Sequence, residues 1–271
     1  MSFRVRIAAG ALIVAAIDVA PPTQPAQDVP PHHCRFGNAM PIADLPPARL
    51  MRGIGTAHLT ITTAVPAAQR FFDQGLNLLH AFWDTEAYRA FKEAARLDPD
   101  AAMPQWGLYM ALAQNGQEMA AERAAALARA VALAPRAPEH ERYYIRAIAA
   151  QADPAKGRAA YIAEMEALID RFPADVEAQL LLANTLSTPV SSYAPDGRPR
   201  EGKLYGQAIL RNLLRTHPRH AAVHHYWVHA VENGPRPADG LASAAALRRR
   251  APRSGHMLHK PGHLYYPLGR F

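Results

Sequence analysis

Two short runs hold six of the thirteen histidines in this 271-residue chain: "HHYWVHAVENG" (His224 to Gly234) and "HMLHKPGH" (His256 to His263). A neutral imidazole offers one nitrogen lone pair, which suits zinc, copper, iron or nickel. His225 and His229 stand at i, i+4, as do His259 and His263. On a helix that spacing puts two rings on one face, with Cβ atoms about 6 Å apart. Glu232, three residues past His229, continues the face as a ligand or as the carboxylate that fixes an imidazole's tautomer. His224 and His256 fall off that face if the helices are regular.

The elements that must position these rings repeat. His225 and His259 are 34 residues apart, as are His229 and His263, and so are Pro218 and Pro252. Proline cannot continue a helix, so Pro99, Pro135, Pro173, Pro218 and Pro252 read as helix enders, separated by 36, 38, 45 and 34 residues. The longest unit holds the loop-like insertion "STPVSSYAPDGRPR" (Ser187 to Arg200). Alanine dominates an apolar fraction of 49%, which favours helix. Phe71, Gly75, Leu78, Ala87, Phe91 and Pro99 fall at the spacings of a tetratricopeptide repeat, with small residues where two helices cross and Phe91 filling the gap. The expected fold is therefore all-α: a right-handed α-solenoid of about five helix-turn-helix units over residues 67–271, the last incomplete.

In such a solenoid the first helices of neighbouring units line the inner wall about 10 Å apart. Two His-x-x-x-His pairs at equivalent places could then converge on one ion, at about 2.0–2.1 Å per nitrogen. The alternative is that the rings simply pack beside Tyr226, Trp227, Tyr265 and Tyr266. Pro261 lies between His259 and His263, so the second helix either kinks there or begins there.

"RFFDQGLNLLHAFWDTEAYRAFKEAARLDPDAAMPQWGLYMAL", "VHHYWVHAVENGPRP" and "APRSGHMLHKPGHLY" resemble the signature segments of a large family of bacterial tetratricopeptide-repeat proteins, many of them exported. The resemblance covers roughly residues 55–271, and it departs at Lys260-Pro261-Gly262-His263, where relatives tend to read Met-Pro-Ser-His. It implies a helical-repeat scaffold, and stacked repeats of that kind present a long concave groove for a protein or peptide. The unpaired last helix would leave an apolar face for a second copy of the chain.

The metal candidates are copper, zinc or iron, with Met257 a mild pointer to copper. Tyr226 follows His225, so no His-Glu-x-x-His protease motif exists. A metalloenzyme, redox or hydrolytic, remains the second reading of the same five residues. His80, Trp83 and Glu86 at the first repeat's turn read as packing and surface residues. Arg142 and Arg146, one turn apart, could hold a carboxylate or form a solvated face. No nucleophile elbow, phosphate-cradling loop or dinucleotide fingerprint occurs.

Upstream, Arg4 and Arg6 precede the apolar run Ile7 to Ile17. That layout, too short to span a bilayer, reads as a signal peptide over residues 1–20 and predicts export to the periplasm or beyond, with no stable membrane span afterwards. Residues 21–66 are proline-rich and read as a lead-in, with a short strand-like piece at His58 to Val65. Cys34, the single cysteine, excludes a disulfide framework and reads as a free thiol. The net charge of +7 comes without any nucleic-acid motif, so solvated helix faces account for it and no nucleic-acid partner is expected.

Overall fold

The structure is a computed structural model that describes residues 45–113, 119–189 and 192–270. The expected signal peptide, the first part of the lead-in and Cys34 lie outside these residues. The described chain is all-helical. In order come α1 (Pro66–His80), α2 (Asp84–Leu97), α3 (Met103–Ala111), α4 (Ala120–Leu133), α5 (Glu139–Ala152), α6 (Gly157–Arg171), α7 (Val176–Ser187), α8 (Lys203–Thr216), α9 (Ala221–Glu232), α10 (Leu241–Arg250), α11 (Gly255–His259) and α12 (Gly262–Tyr265). Among the described residues, the only β-type pairing is one bridge, between Tyr193 and Pro199, inside the expected insertion.

Consecutive helices pack as hairpins: α1 on α2, α3 on α4, α5 on α6, α7 on α8 and α9 on α10. The punctuation is local chemistry. Pro99, Pro135, Pro173, Pro218 and Pro252 each stand two residues past the end of the second helix of a hairpin. Asp175 opens α7 by accepting from the Ala178 amide at 3.0 Å, as a capping carboxylate does. At the first hairpin, a Cβ on Gly75 would sit 2.6 Å from the Phe91 ring, and one on Gly107 of α3 would collide with the same ring. Phe91 is completely buried there, tilted against Phe72 and edge-on to Trp106. Two glycines thus let three helices close on one aromatic side chain.

The last part of the proline-rich stretch differs from a free lead-in. Ile54, Ala57, Leu59 and Ile61 are buried in the main apolar cluster with Phe72, Leu76 and Leu79. The segment runs extended along α1, and its backbone is bonded by α1 side chains rather than by another strand. Gln74 accepts from the Met51 amide at 2.6 Å and donates to Arg49 at 3.0 Å. Asn77 accepts from and donates to Ala57, both at 2.8 Å, and Gln69 does the same for Ile61 and Leu59. Buried backbone groups must find partners, and three amides on one helix supply them.

The array also curls. Besides α2 and α3, α1 packs on α9, and Ala81 at its end is buried in the cluster of Ala221, Val228, Ala244, Leu247, Met257 and Leu264. This contact between the first hairpin and the last positions the site described next. No helix among the described residues is long and apolar enough to cross a membrane.

Candidate metal centre

α9 is enclosed by α7, α8, α10 and the end of α1, which explains why an entire run of its residues, from Ala221 to Val228, is buried. On it, His225 Nε2 and His229 Nε2 lie 3.1 Å apart, and His229 Nε2 lies 3.4 Å from His256 Nε2 on α11. Ligand atoms of the three residues all fall within 4.8 Å of one another. Three nitrogens held by one tetrahedral ion at about 2.0–2.1 Å would be about 3.3–3.4 Å apart, so the two Nε2 separations bracket the required geometry.

The outward nitrogens set the tautomers. His225 Nδ1 is 2.6 Å from the carbonyl oxygen of His80, which can only accept, so the proton is on Nδ1 and the lone pair on Nε2. His229 Nδ1 lies 3.2 Å from the Glu232 carboxylate, which favours the same arrangement. Burial, and then the neighbouring imidazoles, hold His225 well below the ordinary histidine value. Burial and then Lys260 do the same to His229, and bring His256 down to about 3. Near neutral pH the three rings are therefore neutral, and His225 and His229 turn their Nε2 lone pairs inward.

The cluster is drawn differently from the sequence pattern. The structure brings together His225, His229 and His256, whereas His259 and His263 face each other, Nε2 to Nε2, at 3.2 Å. α11 is only five residues long and its hydrogen-bond ladder is interrupted at Pro261, yet Lys260 and Pro261 keep helical backbone angles, so His259 and His263 stay one turn apart on a common face and pair with each other. His256, one turn earlier, occupies the place facing α9. Glu232 is bound by Lys260, whose ammonium lies 2.7 and 2.6 Å from its two oxygens, and His263 Nδ1 is 3.5 Å away. It serves as an acceptor behind the rings. His224 donates from Nε2 to the Pro218 carbonyl at 2.8 Å and meets the Ser243 hydroxyl at 3.0 Å, so both its nitrogens are used in packing.

Three residues outside the expected site complete the surroundings. Phe82, in the turn after α1, has a φ of 54° and lays its ring against His225, His229 and His256 at centroid distances of 4.7, 5.0 and 5.5 Å. A left-handed phenylalanine is uncommon and is held by its surroundings. His80 is a buried packing residue: Nδ1 meets Tyr226 Oη at 2.8 Å and Nε2 meets Glu177 at 2.6 Å. Glu177 also reaches His220 at 3.0 Å. Burial alone would raise the Glu177 carboxyl, but the His80 and His220 rings outweigh it and hold it down at about 2. The available signal was a histidine ending an apolar helix, and no periodicity could say what lay opposite.

The remaining candidates are engaged elsewhere. Arg146 pairs with Glu164 at 3.1 Å and covers the Tyr143 ring, Arg142 donates to the Ala137 carbonyl at 2.8 Å, and Glu86 pairs with Arg89 at 2.6 Å. Met257 is buried in the apolar cluster with Val228, Ala244 and Leu247. No known protein-family model matches the chain, and a search of curated proteins finds no match either.

Proposed function

We propose that this protein binds one transition-metal ion in a buried three-imidazole site made by His225, His229 and His256, on a scaffold of tetratricopeptide-like repeats. One observation carries the reading. His225 and His229 commit Nδ1 to outside acceptors, so two Nε2 lone pairs face each other at 3.1 Å in a buried place. Two facing lone pairs need an electron-pair acceptor between them, and burial disfavours supplying it as an imidazolium. A metal ion is the acceptor that also engages the third ring.

The charge balance narrows the ion. Lys260 neutralises Glu232, so the donors contribute no net negative charge. A monovalent ion such as copper(I) suits three neutral imidazoles directly, while zinc(II) or iron(II) would bring an anionic fourth ligand such as hydroxide. Met257 adds nothing to the copper case, because it is taken up in apolar packing.

The repeat scaffold is supported by the hairpin order and by the five prolines, each two residues past a helix end. Export is supported by the charged and apolar N-terminal run, and a groove for a protein or peptide by the stacked hairpins. A catalytic metal is the second reading. It is favoured because three protein donors leave a tetrahedral ion one position, and because Asp84, two residues beyond Phe82, has its carboxyl raised to about 7 by burial.

Elemental analysis and titration of chelator-free protein with copper(I) and zinc(II) test the site. The expected result is one ion per chain, lost in His225→Ala and in His256→Ala. Binding that is equally tight in both variants sinks the assignment. A cobalt(II)-loaded protein whose visible spectrum does not respond to azide would remove the catalytic reading.

A further inference from the structure

The three-imidazole site is connected to solvent by two more histidines. His263 and His259 are both exposed, His263 with 42% of its side chain accessible, and their Nε2 atoms are 3.2 Å apart. The His259 ring stands 5.0 Å, centroid to centroid, from the His256 ring. His256 is half-buried and leads to His229 at 3.4 Å, which leads to His225 at 3.1 Å, a residue with no exposed surface. Five imidazoles thus form one continuous file, with exposure falling along it from end to end.

We propose that His259 and His263 are the loading station of the metal site, taking an ion from water and passing it to His256. The proposal rests on the three-histidine reading and adds the route. A hydrated cation cannot cross into a buried site without losing its waters, and the bare ion is far too costly in an apolar wall. A file of donor nitrogens removes that barrier by exchange. Each step replaces a bound water or the imidazole behind with the imidazole ahead; the water is released and the oxidation state is unchanged. The aromatic face of Phe82 covers the three inner rings, which leaves the α11–α12 end as the side where donors reach solvent. Glu232 lies behind the file within 3.5 Å of His263 Nδ1 and 3.2 Å of His229 Nδ1, so one carboxylate contacts both its outer and its inner part.

A pathway of this kind acts on rates and leaves the equilibrium alone. Removing it slows loading and release by the same factor. The test is stopped-flow cobalt(II) uptake, chelator-driven release and equilibrium titration on wild type, on His259→Ala/His263→Ala, and on the polar His259→Gln/His263→Gln variant. Both residues are exposed, and thermal melts verify that the variants remain folded. The expected result is a fall of about tenfold in both the association and dissociation rates, with one ion still bound and Kd within about twofold of wild type. Unchanged rates with intact binding overturn the loading role and leave the inner site standing. A weaker Kd makes the pair ligands, and two ions in wild type with one in the variants make it a second site; either result overturns the proposal. No ion in wild type means that the underlying site reading has failed.

Discussion

Glu177 is the group whose replacement tests how the site is held. Its two oxygens lie 2.6 Å from His80 Nε2 and 3.0 Å from His220 Nε2, and His80 in turn presents its carbonyl to His225. The carboxyl is held at about 2 against an ordinary value of 4.5. That gap of 2.5, at about 1.4 kcal/mol per pKa unit, makes the ionised carboxylate worth about 3 kcal/mol at neutral pH. The sign follows from its depression: the stabilisation is complete above the unfolded value of 4.5 and is lost as pH falls towards 2. Histidines held below their ordinary value also lose stability on acidification, but from about 6.5 downward, and they do so equally in both proteins. The difference between wild type and Glu177→Gln therefore reports the carboxylate together with its pairing to His80 and His220. Urea unfolding of metal-free protein is expected to show the variant less stable by about 3 kcal/mol at pH 7 and by only about 1 kcal/mol at pH 3. A loosened His80 carbonyl also frees the His225 ring, so metal affinity should fall about tenfold, the usual effect of losing a partner behind a ligand. A stability gap that stays constant from pH 7 to pH 3 would refute this account of the carboxylate.

Two substitutions check how the first hairpin is built. Gly75→Ala places a methyl group 2.6 Å from the Phe91 ring, so overpacking should cost about 1–3 kcal/mol despite alanine's better helix propensity, whereas Gly262→Ala, with nothing within 4 Å, should change stability by about 0.5 kcal/mol or less. Equal melting temperatures for the two would contradict the close crossing. Gln74→Leu puts an apolar residue on the buried side of α1, yet it strips partners from the Met51 amide and the Arg49 carbonyl. The expected loss is about 2 kcal/mol, or about 4–8 °C in Tm by calorimetry, and a variant as stable as wild type would mean that the extended segment does not depend on that amide.

What could be read from the sequence is what the chain encodes locally. The prolines, the Gly75–Phe91 crossing and the facing of His225 with His229 all depend on residues close in sequence or on helical spacing. His256 was set aside on the expectation that a regular helix turns it away, yet it stands at i, i+3 with His259 and so shares that helix face, one turn nearer to His229. The partners of His80 and Glu177 were invisible for a different reason. His80 meets Tyr226 of α9 across 146 residues, in the contact between the first and last hairpins, and Glu177 of α7 meets His220, just before α9, across 43, and helical spacing foresees neither. The buried extended segment before α1 had one legible clue: Gln74 and Asn77 are polar residues on a face that should be apolar, which signals backbone needing partners.

These failures share a location, and the location explains why the site is where it is. Its three inner rings come from α9 and α11, its fixed tautomer from the end of α1, and the carboxylate behind that from α7. No single hairpin contains enough of the site to bind anything. The curl that brings α1 onto α9 is what assembles it, and Phe82 adopts its left-handed backbone at that junction. Binding energy at the rings is therefore also energy for keeping the first hairpin docked on the last, since a ligand that binds only the assembled form stabilises it by mass action, about 2.7 kcal/mol at a hundredfold excess over Kd. The tether runs both ways. Anything that pulls α1 from α9 also withdraws the His80 carbonyl from His225 and so would loosen the proposed ion.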